Sequence, residues 1–575
     1  MFHLQLFGDE SFYWLEGQFL SMSYTELPGW TAWMIRLGTS VFGNNYFAVR
    51  IVSYLGFLSV FAGIYLINNK LNNTKQNSSN YLIILAVPLF LLLAIMALPD
   101  IWLVVFVVWV IYFFIKAINN NNPSDWLVLG ITIACSINVH VRMWIWLFFA
   151  GLSYLICFRL NHKMIKSVLF LTLPLALLGV IPILIFNYNN DYALFAFQFG
   201  QRHPWQFQIQ NISFLLSQLL VITPVVIFLW IKNISTIKNH YGLQPMIAWI
   251  LLTALSHSVF YAIMSLFADG LRTTVHWLLV SYIPVLAISL NLTVNRILIK
   301  YAVVSGGIVS LLLLLYLSFG KSNSSNIQAR IFDNSLGWHE LSKVVTRLQK
   351  QNNTENLITD YFMTASELAF ELNRAQTIKV LPHAKNSKHG RQKQLEIMNM
   401  LLQDPKTYKQ QALLVVEDSG IKLQDKGKYY IQLCEYFKQI QFIDSLNVDS
   451  SKKQYHFFKV NNNEQQTKSC HIPPLFYVQQ KVVNEQIEIS GWAIIHNSSI
   501  QSLSVLSDGN TIPVVNDKII NTGIKAMFPE ILDFNQPHNA FNIVIPRSRL
   551  NNSSYQITAV GNDNIKYVSQ NYFID

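Results

Sequence analysis

Charge is scarce in this chain. Of its 575 residues only 13% are Asp, Glu, Lys or Arg, against 52% hydrophobic, and so small a charged complement excludes an ordinary water-soluble protein. Cysteine is scarcer still, with four in all. Cys135 and Cys157 fall in apolar stretches and read as inert packing residues, while Cys434 and Cys470 fall in polar sequence, where they can pair if that part lies outside the cytoplasm. No dense acidic cluster of the kind that specifies a metal ion is present, no internal repeat is recognisable, and the polar third carries no glycine-rich phosphate loop, which argues against nucleotide binding there. Met1 to Phe7 is too short for a bilayer span or a secretory h-region. Either one helix ahead of it has been lost, or the helix that follows carries the N-terminus across.

What the chain has instead is apolar length. Ten stretches of membrane-spanning character fill Ala48 to Phe319, at about 48–67, 81–98, 101–117, 126–139, 143–158, 167–186, 212–231, 246–267, 276–293 and 301–319. The net charge of +11 is spread along the chain and sits largely in short loops, so it reports topology and not nucleic-acid binding. If the first span runs inward, one set of loops holds Lys70, Lys75, Lys116, Arg159, Lys163, Lys166, Lys232, Lys238, Arg296 and Lys300, and the other only Arg142, Arg202 and Arg272. Arg36 and Arg50, ahead of the first span, weaken this bias without reversing it. The asymmetry predicts a multi-pass membrane protein whose N-terminal segment and C-terminal third lie outside the cytoplasm. Residues 10–42, rich in Trp, Tyr and Phe, fit helices lying in the membrane interface.

The polar residues on the outer side are Asp9, Glu10, Glu26, Asp100, Arg142, Asp191, Arg202, His203, Asp269, Arg272 and His276. Acids and bases gather on one face. Asp100, behind Pro99, either caps the following helix or serves chemistry. Arg142 either anchors a lipid phosphate or snorkels to headgroups. Arg202, His203 and Arg272 read individually as solvated loop charges. A membrane enzyme needs such a set; a transporter or flippase for lipid-linked sugars, the alternative, would carry repeats and midplane charges.

The run Gly8-Asp9-Glu10-Ser11-Phe12-Tyr13-Trp14, followed by Trp30 to Thr39 and Phe42-Gly43-Asn44, resembles the first outer loop of bacterial glycosyltransferases related to protein O-mannosyltransferases and the lipid A aminoarabinose transferase. Leu98-Pro99-Asp100, Phe186-Asn187-Tyr188 through Phe197 to Arg202, His276-Trp277, and Gly337-Trp338 with Ala365 to Phe370 extend the resemblance, with gaps, over roughly residues 8–460. It implies a GT-C fold that transfers a monosaccharide with inversion from a polyprenyl-phosphate-sugar donor to a lipid, glycan or protein acceptor on the outer face. By the family pattern Asp9 is the acid-base or metal-organising carboxylate, Glu10 its neighbour and Asp100 the second outer acid. Arg142, Arg202, His203, Arg272 and His276 are then donor-phosphate ligands, with Arg142 standing where relatives often have Lys. Two departures are the helix that relatives carry ahead of the Asp-Glu pair, and Leu27-Pro28-Gly29 where many have His-Pro-Pro. Such chemistry needs a base for the acceptor hydroxyl and cations for the leaving phosphate; a divalent metal ion that shares the second task is left open.

The predicted organisation is therefore a polytopic α-helical membrane domain over 1–320 with its outer loop at 1–47, a soluble α/β domain over 321–465 and a β-sandwich over 470–575. In the α/β part, Leu336, Trp338, Leu341, Val344, Val345 and Leu348 mark a helix, and Leu357–Tyr361, Thr377–Leu381 and Ala412–Val416 mark strands. His383, His389 and Arg391 read as solvated residues of a polar loop. Through Gly491-Trp492-Ala493, Asp508-Gly509 and Phe528-Pro529 the last segment resembles sandwich modules appended to glycan-processing proteins. Trp492 there is either a core residue or a platform for a sugar ring.

Overall fold

The computed structural model describes residues 4–71, 84, 87–158, 161–221, 245–270, 274–292, 296–319, 334–448 and most of 453–574. Arg272 and the Asp508-Gly509 turn lie outside these. The described chain forms two compact units, one of Met1–Gly320 together with Ser387–Ile397, the other of Lys321–Asn386 with Met398–Asp575. The division departs from the sequence-based boundaries at two points: the α/β part and the sandwich share one unit, and the eleven residues 387–397, in the expected polar loop of the soluble part, pack with the helical unit.

The helical unit opens with two short helices, α1 (Gly8–Gln18) and α2 (Trp30–Phe42), before α3 (Tyr46–Leu71). After α4 (Pro88–Ala94) come α5 (Pro99–Asn120) and α6 (Pro123–Ile137), and among the described residues four helices are long and apolar enough to cross a membrane: α3, α5, His162–Asn189 and Pro245–Ser265. Two helices that bear on the site have a sequence reason to begin where they do. Pro99 stands at the first turn of α5, where its missing N–H costs nothing. Helix α7 (Val141–Cys157) is capped by His140, whose Nδ1 accepts from the Arg142 N–H at 3.0 Å. Helices α3 and α5 approach closely at Gly63, where a Cβ would stand 2.5 Å from Val108; small residues permit such contact when no hydrophobic force drives helices together in lipid. Arg50, counted above with the outer loop charges, lies inside α3 and is buried, so it carries no topological information.

In the second unit the expected helix is Trp338–Gln351 and the three expected strands are β1 (Leu357–Thr359), β2 (Ile378–Val380) and β3 (Ala412–Glu417). Further strands β4 (Gln439–Asn447), β5 (Gln454–Asn461) and β6 (Ser469–His471) complete a mixed sheet of order β2-β1-β3-β5-β4-β6. β1 runs parallel to both β2 and β3, whereas β5 is antiparallel to β3 and β4. Cys434, on the helix Leu423–Tyr436, and Cys470, on β6, form a disulfide. Beyond it two antiparallel sheets follow. One contains β7 (Leu475–Val483), β8 (Gln486–Ile494), β11 (Asn516–Ile519) and β12 (His538–Pro546); the other contains β9 (Ile500–Ser507), β10 (Asn510–Val514), β13 (Ser554–Gly561), β14 (Lys566–Val568) and β15 (Tyr572–Phe573). One continuous apolar core, from Ile358 through Phe442 to Tyr567, joins them to the mixed sheet, so the α/β part and the sandwich are a single packed body.

Candidate functional site

The Asp9-Glu10 pair is divided by the helix that carries it. Consecutive positions on α1 point about 100° apart, and Glu10 turns into the protein. Its carboxylate receives Nε and Nη2 of Arg50 at 2.8 and 2.7 Å, the Ala97 N–H at 2.8 Å and the Phe7 N–H at 2.9 Å. With Glu10 wholly buried and every oxygen engaged, it fastens α1 to α3 and to the chain ahead of α5. The structure thus separates Glu10 from Asp9, with which the family resemblance groups it as a catalytic acid: its carboxylate is occupied by four donors and closed to solvent.

Asp9 turns the other way and remains 38% exposed at its side chain. It is held by Arg391, a residue set aside above as a solvated loop charge. Arg391 is 1% exposed; its Nη2 lies 2.8 Å from Asp9 Oδ1 and 2.8 Å from Glu26 Oε2, its Nε donates to Glu26 Oε2 at 2.9 Å, and its guanidinium sits 4.5 Å from the Phe12 ring. Burial works against its charge, yet Glu26 and then Asp9 push its pKa up. The segment that brings Arg391 here is seated on the loop between α1 and α2. Thr25 donates its N–H to Gln394 Oε1 and its hydroxyl to the Gly390 carbonyl, both at 2.9 Å. Gly390 has φ +70°, and a Cβ there would stand 2.4 Å from the Phe197 ring, so only glycine permits the approach. Behind this cluster Glu16 is buried, and burial followed by the nearby Glu26 pushes its pKa well up.

A second cluster stands on the first turns of α5, α7 and a 3-10 turn at Val275–Leu278. Asp100 Oδ1 meets Arg142 Nη2 at 2.7 Å and His276 Nε2 at 3.3 Å, with the Asp100 and Arg142 side chains only 6% and 8% exposed. Asp100 makes no side-chain cap; the capping position belongs to Leu98. Arg142 is therefore no snorkelling residue, and its Nε has no hydrogen-bond partner among the described residues. Asp9 and Arg202 both lie within electrostatic range of His276, as do Glu26 and Arg142 of Arg202, which makes the two clusters one field. Arg202 is linked to the Glu26 loop through Gln198, whose Oε1 accepts from Arg202 at 2.9 Å and whose amide donates to the Glu26 carbonyl.

Arg142, Arg202 and His203 open onto an apolar groove of about 270 Å³ walled by Phe199, Tyr261 and Trp277. The structure thus gathers Asp9, Asp100, Arg142, Arg202, His203 and His276, and leaves Glu10 out. Trp492 belongs to the other unit, half-buried on β8 with its ring stacked on Tyr477 at 5.5 Å. Sequence reasoning had placed Glu26 on the outer side without a role and had missed Arg391. Nothing local marks Arg391: its neighbours are polar, and its burial is created by α1 and the loop after it. His383 is likewise no solvated residue, since its ring packs 5.8 Å from Tyr361 and 5.8 Å from Tyr429; His389 is exposed. Among the described residues no group of three or more His, Cys, Asp or Glu is arranged to hold a metal ion.

Comparison with known proteins bears on this arrangement. No curated protein matches the chain. Among solved structures, ArnT from Cupriavidus metallidurans in the apo state matches with a TM-score of 0.56 at 12% identity, over 79% of this chain and 94% of that one. The same protein bound to undecaprenyl phosphate matches with a TM-score of 0.53 at 13% identity, over 81% and 96%. Residues 28–186, which run from the Glu26 loop through the Asp100 and Arg142 turns, match the family model of the dolichyl-phosphate-mannose-protein mannosyltransferases. The chain thus has the helical fold of ArnT, a GT-C fold, and over those residues the sequence pattern of the mannosyltransferases.

Proposed function

We propose that this protein is an inverting glycosyltransferase that moves a monosaccharide from a polyprenyl-phosphate donor to an acceptor at the extracytoplasmic face of a bacterial plasma membrane. The observation that carries the reading is the convergence of one accessible carboxylate, Asp9, with Arg142, Arg202 and His276 beside an apolar groove. A polyprenyl phosphate is an apolar chain ending in an anion, and the groove offers apolar walls ending in arginines. Undecaprenyl phosphate, the ligand of the solved ArnT complex, has this chemistry. The disulfide of the second unit supports its placement in an oxidising compartment, outside the cytoplasm.

In this reading Asp9 accepts the proton of the acceptor hydroxyl as its oxygen attacks the anomeric carbon, and the bond from that carbon to the phosphate oxygen breaks. The departing polyprenyl phosphate carries the electron pair, and Arg142 and Arg202 stabilise the charge that develops there. Asp100 holds Arg142 by a short ion pair, which fixes the guanidinium before the donor arrives and avoids reorganisation during reaction. A single displacement of this kind inverts the anomeric centre, and it needs no second carboxylate nucleophile, which Asp100, closed in by Arg142 and His276, is poorly placed to be. The cations gather at helix ends on one side and not at mid-helix, which favours transfer over transport.

The test uses membranes expressing the chain, or its Asp9→Asn and Asp100→Asn variants, supplied with radiolabelled polyprenyl-phosphate sugars and an extracted envelope acceptor fraction. Transfer that disappears in Asp9→Asn is the expected result. Donor consumption unaffected by the substitution, or no transfer from any donor, overturns the proposal.

A further inference from the structure

We propose a second ligand site in the other unit: the cleft where the mixed sheet meets the sandwich binds a saccharide. The cleft has a volume of about 240 Å³ and is lined by Asp418, Lys426, His456, Tyr477 and Tyr572 among others. Pockets for drug-sized molecules run to about 300–1,000 Å³, so this one is the size for a single sugar unit at the end of a longer glycan.

Its floor comes from the mixed sheet. Asp418 follows the end of β3 and His456 lies on the neighbouring β5; both are buried. One Asp418 oxygen is committed, meeting Lys426 Nζ at 2.8 Å and the Tyr430 hydroxyl at 2.9 Å. The other, Oδ1, has no hydrogen-bond partner among the described residues and only His456 Nε2 at 3.7 Å near it; His456 Nδ1 is unpartnered too. Buried polar atoms are nearly always paired in native proteins. Two of them at the base of one cleft mark where a ligand's hydroxyl groups belong. Burial pushes the His456 imidazole down to about 4, so near neutral pH the floor offers a carboxylate acceptor and a neutral ring that both donates and accepts.

The walls come from the sandwich and suit a pyranose face. Tyr477 and Tyr572 are half-buried cleft residues, and each is backed by another ring, Tyr477 by Trp492 at 5.5 Å and Tyr572 by Tyr555 at 5.6 Å, both stacked. Rings held in this way lose little freedom when the C–H face of a sugar packs on them. The aromatic role considered for Trp492 thereby passes to Tyr477, which Trp492 supports. The frame is fixed as well: two side-chain amide hydrogen bonds, Gln454 to the Val568 carbonyl at 2.7 Å and Asn447 to the Ser569 carbonyl at 2.9 Å, join floor to walls, and the Cys434–Cys470 disulfide ties the helix Leu423–Tyr436 to the mixed sheet.

Other ligand classes fit less well. The floor carboxylate repels phosphates and other anions, and Lys426, the nearest cation, is already neutralised by it. One carboxylate and one imidazole are too few for a metal ion. A purely apolar ligand would leave both unpaired floor atoms unsatisfied. The proposal stands on the geometry of the second unit and does not depend on the transferase reading.

The experiment is saturation-transfer NMR and calorimetry on the full chain in detergent, with methyl glycosides of hexoses, pentoses, N-acetylhexosamines and aminosugars as probes. The expected result is millimolar binding of at least one probe, weakened about tenfold or more by Asp418→Asn. Because that substitution also disturbs Lys426, Tyr477→Ala, a change on the half-exposed wall, serves as the second variant and is expected to weaken the same probe. Failure of every glycoside to bind, or binding unchanged in both variants, overturns the assignment.

Discussion

Replacing Arg391 tests whether Asp9 is positioned from a segment 382 residues away in sequence. Arg391 is buried and joins two carboxylates, so Arg391→Ala leaves both without their cation. Breaking a buried ion pair typically costs about 3–5 kcal/mol, and the exposure of Asp9 to solvent reduces its own share. The other polar ties of the segment are Gln394 and Gly390 to Thr25, which contribute about 0.5–1.5 kcal/mol each, and the exposed Lys393–Asp191 pair, which adds little. The loss exceeds those polar ties, while Leu395 and Ile397 remain packed in the helical unit, so the segment is expected to loosen and free Asp9 without detaching. Displacement of a reacting group by about 1 Å costs roughly a hundredfold, so kcat should fall about 100-fold. Donor KM should change less than kcat, because Arg142 stands on α7 and is held by Asp100, not by this segment. Arg391→Lys keeps the charge but serves one carboxylate at a time, and an intermediate loss of about tenfold is expected. The transfer assay gives the rates, and hydrogen exchange reports on the amides of 387–397. Wild-type turnover in Arg391→Ala, with those amides still protected, would refute the positioning argument.

Three further outcomes follow from other parts of the molecule. Glu10→Ala leaves the buried Arg50 without a carboxylate, held only by neutral acceptors such as the Leu4 and Gln5 carbonyls, and should lower stability by about 3 kcal/mol, seen as a lower unfolding temperature in detergent; the Glu10→Ala, Arg50→Ala double variant should cost less than the two single losses added together. Reduction of Cys434–Cys470, which closes a loop of 36 residues, removes about 4 kcal/mol on the loop-entropy account and should shift the second unit's unfolding transition downward, whereas a Cys434→Ser, Cys470→Ser variant should show no response to reductant. Burial and the neighbouring Glu417 push the Asp360 carboxyl up to about 8. The folded state then holds a proton that the unfolded chain has released above about 4, so this stabilising contribution is complete below pH ~4 and is lost as pH rises through about 8. Asp360→Asn should flatten the decline in unfolding temperature over that window, and an unchanged slope would refute the assignment.

Much of this protein was legible from one dimension. Apolar length identified the helical unit, because a bilayer's thickness sets a minimum run that few soluble sequences reach. Period-two patterning found β8, β9, β12 and β13, and short β-branched runs found β1 to β3, since these signals depend on near neighbours. Asp9, Asp100, Arg142, Arg202 and His276 were picked out because polar residues at the ends of apolar spans are few. Their division of labour was not encoded locally. Glu10 and Asp9 are adjacent in sequence, and only the helix phase sent one inward to four donors and the other outward. Arg50 looked like a loop charge until α3 began four residues before it, and Arg391 looked solvated until α1 and the Glu26 loop enclosed it. Burial is a property of what surrounds a residue, and those surroundings came from chain 40 to 382 residues away. Sequence alone determined which residues have the chemistry; tertiary structure decided which of them are left with an open valence to use it, because hydrogen-bond saturation and solvent access arise only when distant segments close around a side chain.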